Sequence, residues 1–221
     1  NTIAIVGYTN AGKSTLLNAL TDSRVIVQDK LFSTLDPTIR RFILPNNQKV
    51  LFVDTVGFLN DLPHHLIEAF KATLEEVVNA DLLLHVVDIS HPKAKEQSHA
   101  VYKVLEEIGA GDVASVIVLN KIDKVAEKSA IDRAKVYFND ALAVSAVKRE
   151  GFDALIDRIL RHMSGFVALA RLKIPIADPG LINLIYENGV VRKKEYSNES
   201  VYIEAELPLR IKDMLEDYRV K

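Results

Sequence analysis

An unbroken apolar run, Ile3-Ala4-Ile5-Val6, leads directly into Gly-Tyr-Thr-Asn-Ala-Gly-Lys-Ser at residues 7–14, and a helical pattern follows. Gly7 and Gly12 let the backbone turn so that successive N–H groups point inward, toward an anion. Lys13 can reach the β- and γ-phosphates of a nucleotide, and the Ser14 hydroxyl can be offered to Mg²⁺. The helix that opens there adds the positive end of its dipole. Tyr8, Thr9, Asn10 and Ala11 complete the loop, and Thr15 follows it into the helix.

The runs that alternate with helical patterns extend this local reading to a fold. Val50–Val53, Leu82–Val87 and Val116–Leu119 read as buried strands, as does Arg41–Leu44, turned into its successor by Pro45-Asn46-Asn47. Ala141–Val144 is a further candidate. Helices fit 13–20, 65–79, 95–107, 129–136 and 150–164, with Leu66, Ala69, Phe70, Thr73, Leu74 and Val77 sharing one face of the second. Continuous apolar strands between helices predict an α/β fold, a mostly parallel sheet with helices on both faces. After about residue 167 the pattern changes to a strand at 171–174, a helix from Asp178-Pro179 to Asn188-Gly189, strands near 190–196 and 201–206, and a last helix after Pro208. The helix start reads as a capping carboxylate followed by Pro at the first helical position. The expected organisation is a large domain at 1–166 and a small α+β domain at 167–221.

Three further boxes stand at strand ends, where open α/β sheets bind ligands. Asp54-Thr55-Val56-Gly57 follows the strand ending at Val53. An Asp there can hold the water shell of Mg²⁺, and the Gly57 amide can sense a γ-phosphate. The tetrapeptide is uninformative alone and gains its meaning from its position. Asn120-Lys121-Ile122-Asp123 follows the strand 116–119. Asp123 can accept from the N1–H and exocyclic amino group of guanine, whereas adenine would leave it unpaired. Asn120 and the Lys121 stem shape the pocket around the base. Ser145-Ala146-Val147 suits the remaining base loop, with Ser145 and the Ala146 amide near the guanine oxygen.

In this order and at these places the boxes resemble a GTPase domain of the translation-factor type, a P-loop NTPase. The resemblance implies GTP and GDP as ligands, Mg²⁺, and hydrolysis of the γ-phosphate. It narrows at Leu-Phe-Ser-Thr-Leu-Asp-Pro-Thr-Ile-Arg-Arg (31–41) and at Asp54–Glu76, which includes Gly-Phe-Leu-Asn-Asp-Leu-Pro-His-His-Leu-Ile-Glu-Ala-Phe. These segments resemble the switch regions of the HflX family of ribosome-associated GTPases. The likeness covers residues 1 to about 165; the rest is consistent with that family's C-terminal domain but carries no sharp motif. By resemblance, Thr34 within Phe32-Ser33-Thr34-Leu35-Asp36 completes Mg²⁺ coordination, with Thr38 as a rival. Lys13, Thr34 and Gly57 are then the catalytic set, and Ser14, Thr34 and, through water, Asp54 serve the metal. Phe58 stands where many GTPases keep a water-orienting glutamine, so slow intrinsic turnover is expected. Related GTPases use an Asn at the position of Asn10 to hold K⁺; the alternative is that Asn10 merely tolerates the loop backbone. The usual Ser-Ala-Lys of the base loop is Ser-Ala-Val here, and Lys148 could substitute for the missing stem.

The family likeness implies the large ribosomal subunit, its RNA and protein, as partner, and ribosome splitting or rescue as output. Two alternatives stay open: a GTP-dependent protein-binding switch with negligible turnover, and the GTPase domain of a tRNA-modification factor. The net charge of −2 argues against a globally basic nucleic-acid binder. Arg192-Lys193-Lys194 reads either as a phosphate contact or as a solvated strand end. The absence of cysteine removes disulfide frameworks and thiolate metal sites and is compatible with the reducing cytoplasm. No apolar run approaches the ~18 residues of a membrane span. A monomer is expected. With no initiator Met and a start almost directly in a strand, the chain reads as a piece of a longer protein, lacking the family's N-terminal domain. His64 and His65 read as solvated or ribosome-facing, and His85 as a hydrogen-bonded core histidine.

Overall fold

The computed structural model describes residues 1–21, 38–55, 57 and 71–220. In chain order its elements are β1 (Thr2–Gly7), α1 (Lys13–Thr21), β2 (Thr38–Ile43), β3 (Lys49–Asp54), α2 (Lys71–Val78), β4 (Leu82–Asp88), α3 (Ala94–Glu107), β5 (Ser115–Asn120), α4 (Lys128–Tyr137), β6 (Leu142–Ala143), α5 (Phe152–Met163), β7 (Val167–Pro175), α6 (Pro179–Asn188), β8 (Val190–Tyr196), β9 (Ser200–Pro208) and α7 (Leu209–Met214). Among the described residues no helix is long and apolar enough to cross a membrane.

A six-stranded sheet in the order β2-β3-β1-β4-β5-β6 carries the first unit, with β1 parallel to both β3 and β4, β4 to β5, and β5 to β6. β2 meets β3 through a turn at Leu44–Gln48, too short for any but an antiparallel return. Ala4, Val6 and Leu83 pack with Leu74 and Val77 of α2 and with Val101, Val104 and Leu105 of α3. Ile3, Ile5, Leu82, Leu84 and Val86 alternate to the other face and are equally buried. Both faces are covered, as the continuous apolar runs require. Of the face expected on the helix at 65–79, Leu74 and Val77 enter the core; its other members fall outside the described side chains.

Register aligns the strands' carboxyl ends. Ile5 pairs with Asp54, Gly7 with Val86, and Asp88 with Asn120. The ends of β1, β3, β4 and β5 therefore lie along one edge of the sheet, which is where the loops of the sequence boxes begin.

The second unit is a three-stranded antiparallel sheet, β7-β9-β8. Leu172, Ile174, Val201, Ile203 and Leu207 face Ile185 of α6, with Leu181 and Ile182 of α6 and Ile211 of α7 packed alongside. Contacts divide the chain into Asn1–Phe42 with Val50–Leu155, and Ile43–Lys49 with Ile156–Lys221. The division between these contact units falls within α5. The β2–β3 turn belongs to the second unit because Asn47 Nδ2 donates to the Gly189 carbonyl at 3.1 Å and Lys49 Nζ to Asn188 Oδ1 at 3.2 Å.

One local expectation is corrected. Asp178 precedes α6 with Pro179 at its start, but its carboxylate makes no capping hydrogen bond; the Asp178 carbonyl instead accepts from the Leu181 amide. α6 ends at Asn188, as expected, and Gly189 beyond it is extended, φ −143°. This glycine is needed because a Cβ there would lie 2.4 Å from the Glu206 carbonyl oxygen.

His85, in the middle of β4, is also corrected. It is fully buried, yet neither ring nitrogen has a hydrogen-bond partner. Its ring stands edge-on to Tyr102 of α3, centroids 4.8 Å apart. Desolvation lowers its pKa from 6.5 to about 4. As pH falls, the unfolded chain takes up the proton first, so stability declines from about pH 6.5 down to about pH 4, by ~3 kcal/mol in all. Replacing His85 by Leu should remove this term. Urea unfolding at pH 7 and pH 5 should show the wild type losing ~2 kcal/mol more than the variant between the two; equal losses would contradict the assignment.

Candidate functional site

The loop after β1 is built around its own backbone. The Tyr8 carbonyl accepts from the Ala11 amide at 3.1 Å and from Lys13 Nζ at 3.4 Å. Tyr8 packs against the core cluster to which α2 and α3 contribute. Asn10 occupies the left-handed region at φ +60°, which a short amide side chain tolerates. Gly12 has φ +96°, and a Cβ on it would stand 2.4 Å from Asn120 Nδ2, so the base loop closes on this glycine from above.

Lys13 is buried at the start of α1, and desolvation lowers its pKa from 10.5 to about 8, opposed by the nearby Asp54 carboxylate. The folded value lies below the unfolded one. The ammonium therefore opposes folding at neutral pH, a penalty that falls away between about pH 8 and pH 10.5. An anion in the loop would offset it. Ser14 Oγ donates to Asp54 Oδ2 at 2.5 Å, joining the first turn of α1 to the end of β3. Gly57 lies against the same loop: a Cβ on it would be 2.7 Å from Thr9 Cα and 3.1 Å from Lys13 Nζ. The Thr55 side chain is buried and donates to the Ile5 carbonyl at 2.7 Å. It ties β3 to β1.

Asn120 joins three loops. Its Nδ2 donates to the Ala11 carbonyl at 3.0 Å, and its Oδ1 accepts from the Ala146 amide at 3.1 Å, both in a buried setting. The Ala146 amide expected near a guanine oxygen is therefore engaged by Asn120. Lys121 is left-handed at φ +64°, and its Nζ donates to the Asn10 carbonyl at 2.7 Å. Ile122–Lys124 form one 3₁₀ turn. Within it Asp123 Oδ1 accepts from Ser145 Oγ at 2.6 Å. The Ser145 oxygen in turn accepts from the Lys148 amide at 3.1 Å. Val147 is exposed.

The structure thus gathers Gly7 to Thr15, Asp54, Gly57, Asn120 to Asp123 and Ser145 to Val147. Phe32, Ser33, Thr34, Leu35, Asp36, Val56, Phe58, His64 and His65 lie outside the described residues. Thr38, the rival to Thr34, opens strand β2. Sequence reasoning missed Asp88, whose Oδ2 pairs with Lys121 Nζ at 2.7 Å. Its signal was a carboxylate at the end of a buried parallel strand. Arg192, Lys193 and Lys194 are each partnered within the second unit: Arg192 with Glu206 at 2.9 Å, Lys193 with Glu195 at 2.7 Å, and Lys194 over the rings of Tyr186 and Tyr196.

Comparison with known proteins agrees with this geometry. Residues 2–121 match the family described as 50S ribosome-binding GTPase, and residues 130–217 match the HflX C-terminal domain. The GTPase HflX of Lacrimispora saccharolytica is 45% identical over 97% of this chain and 50% of its own length. That of Escherichia coli is 39% identical over 94% and 49%. The chain spans about half the length of these curated relatives. Among solved structures, Aquifex aeolicus Era bound to GDP·AlF₄⁻ superposes with a TM-score of 0.58 at 28% identity, covering 73% of this chain and 56% of its own. With a phosphate loop, a base loop and a C-terminal unit that all match, the chain belongs to the HflX family of GTPases.

Proposed function

We propose that this chain binds GTP at the strand ends of its six-stranded sheet, hydrolyses it to GDP and phosphate, and couples that cycle to the large ribosomal subunit. The observation that carries the nucleotide reading is the Asn120 clamp, which holds the phosphate loop and both base loops in mutual register. Gly7–Ser14 would cradle the phosphates, with Lys13 on the β- and γ-phosphates. The free Oδ2 side of Asp123 would face the guanine edge, while Ser145 holds its other oxygen. The Gly57 amide would read the γ-phosphate, and its release would follow hydrolysis.

The oxygen donors present fit Mg²⁺. Ser14 and Asp54 offer a hydroxyl and a carboxylate in contact, hard ligands of the kind Mg²⁺ takes while keeping waters and substrate phosphates. Ser14 and Thr34 would bind the ion directly and Asp54 through water. When bound, it neutralises charge on the phosphates. The chemistry left to the protein is positioning and electrostatics. Asn10 would bind K⁺ at the place of an arginine finger; its left-handed backbone is also reason enough for an Asn there. Support for the ribosomal partner comes from the 50S ribosome-binding family match and from the likeness of residues 54–76 to HflX switch regions. Ribosome splitting or rescue would be the output that this likeness implies, and we propose a monomer acting in the cytoplasm.

Three measurements test this reading. Lys13→Met should abolish GDP binding while raising nucleotide-free stability by ~1–2 kcal/mol, because a buried ammonium is removed; GDP binding at micromolar concentration would overturn the phosphate-loop assignment. Asp123→Asn should move preference from guanine toward xanthine nucleotides, and unchanged GTP selectivity in a competition assay would count against the base pocket. GTP turnover in potassium buffer should rise at least tenfold when purified large ribosomal subunits are added, and should drop when sodium replaces potassium. No stimulation, in this chain or in a full-length relative, would favour a protein-partnered switch instead.

A further inference from the structure

We infer that Asp88 is a positioning residue of the nucleotide site, acting through Lys121. The inference deepens the base-pocket reading above and rests on it. Asp88 is the last residue of β4 and stands in register with Asn120, the last residue of β5. Its two oxygens have separate partners. Oδ2 meets Lys121 Nζ at 2.7 Å. Oδ1 accepts from the Ser90 amide at 3.0 Å and from Ser90 Oγ at 2.6 Å, which fixes the plane of the carboxylate.

The pair is not an ordinary surface ion pair. The Lys121 and Asp88 side chains are 22% and 12% exposed, and the contact is charge-assisted. The same ammonium donates to the Asn10 carbonyl at 2.7 Å. The left-handed backbone of Lys121 turns its side chain back across the phosphate loop instead of onward from β5. The Lys121 stem passes close to Gly12, where a Cβ would be 3.8 Å from Lys121 Cε. One ammonium thus bridges the end of β4 and the phosphate loop. Held at its far end, the stem can serve as a wall beside a planar base. Without Asp88, the ammonium keeps only one carbonyl acceptor, and its several rotamers become available. The stem would then have to be ordered by each nucleotide that binds, which weakens binding and speeds release.

The test is a double-mutant cycle on the 221-residue chain, read by the dissociation rate of fluorescent N-methylanthraniloyl-GDP. Asp88→Ala should speed release about tenfold, and Lys121→Ala by at least as much. The double variant should release no faster than Lys121→Ala alone, because Asp88 acts only through that lysine. Asp88→Asn, isosteric and able to keep the Ser90 contacts, should release as fast as Asp88→Ala. Wild-type release in both Asp88 variants, or effects that simply add in the double variant, would overturn the inference while leaving the base pocket intact. Wild-type release in Lys121→Ala would overturn the base-pocket reading, and this inference with it.

Discussion

One buried side-chain amide holds the site in shape. Asn120 donates to the phosphate loop at Ala11 and accepts from the third loop at Ala146. A side-chain amide presents a donor and an acceptor from one short rigid plane. An aspartate could not donate to the Ala11 carbonyl, and a leucine would leave that carbonyl and the Ala146 amide buried without partners, at ~1–3 kcal/mol each. The closeness of Gly12 to Asn120 Nδ2 follows from the same bond, since no side chain fits between them. The parallel register that sets Asp88 beside Asn120 is what places the amide within reach of both loops.

Around that clamp the fold stores unfavourable electrostatics where a ligand can relieve them. Lys13 is buried with its pKa lowered toward 8, with the Asp54 carboxylate only partly offsetting its desolvation. Gly57 brings a further stretch of backbone close to the same ammonium, which a side chain there would prevent. Such a loop is costly to the free protein and suited to a polyanion, a common exchange of stability for function. Buried His85, whose ring nitrogens have no partner among the described residues, carries a like penalty away from the loop and packs against the Tyr102 ring in a T-shaped contact.

The second unit obeys a different economy. Its sheet buries one face under α6 and α7 and decorates the strands with paired charges, Arg171 with Glu204 and Arg192 with Glu206 across neighbouring strands. Each exposed pair contributes little to stability, but together they balance the charges of Arg171 and Arg192. In the run Arg192-Lys193-Lys194, which looks basic in one dimension, Arg192 pairs with Glu206 of β9 and Lys193 with Glu195 of its own strand, while Lys194 keeps its charge and lies over the rings of Tyr186 and Tyr196.

Much of this was legible in the amino-acid order because it rests on local chemistry. Strand runs, the glycines and lysine of the phosphate loop, the Asp54, Asn120 and Asp123 boxes and the change of pattern near residue 167 all follow from periodicity and residue type over short windows. What required the folded chain was every relation between distant segments. No local rule pairs Asp88 with Lys121, 33 positions apart, or sends the Thr55 hydroxyl to Ile5 rather than to a ligand. None assigns the Ala146 amide to Asn120, leaves the Asp178 carboxylate without a capping bond, or groups the β2–β3 turn with the second unit. Sequence determined which groups stand at the strand ends, since strand and loop propensities are short-range. Tertiary structure decided which of those groups face one another, since strand order and register are set by packing that no short window contains.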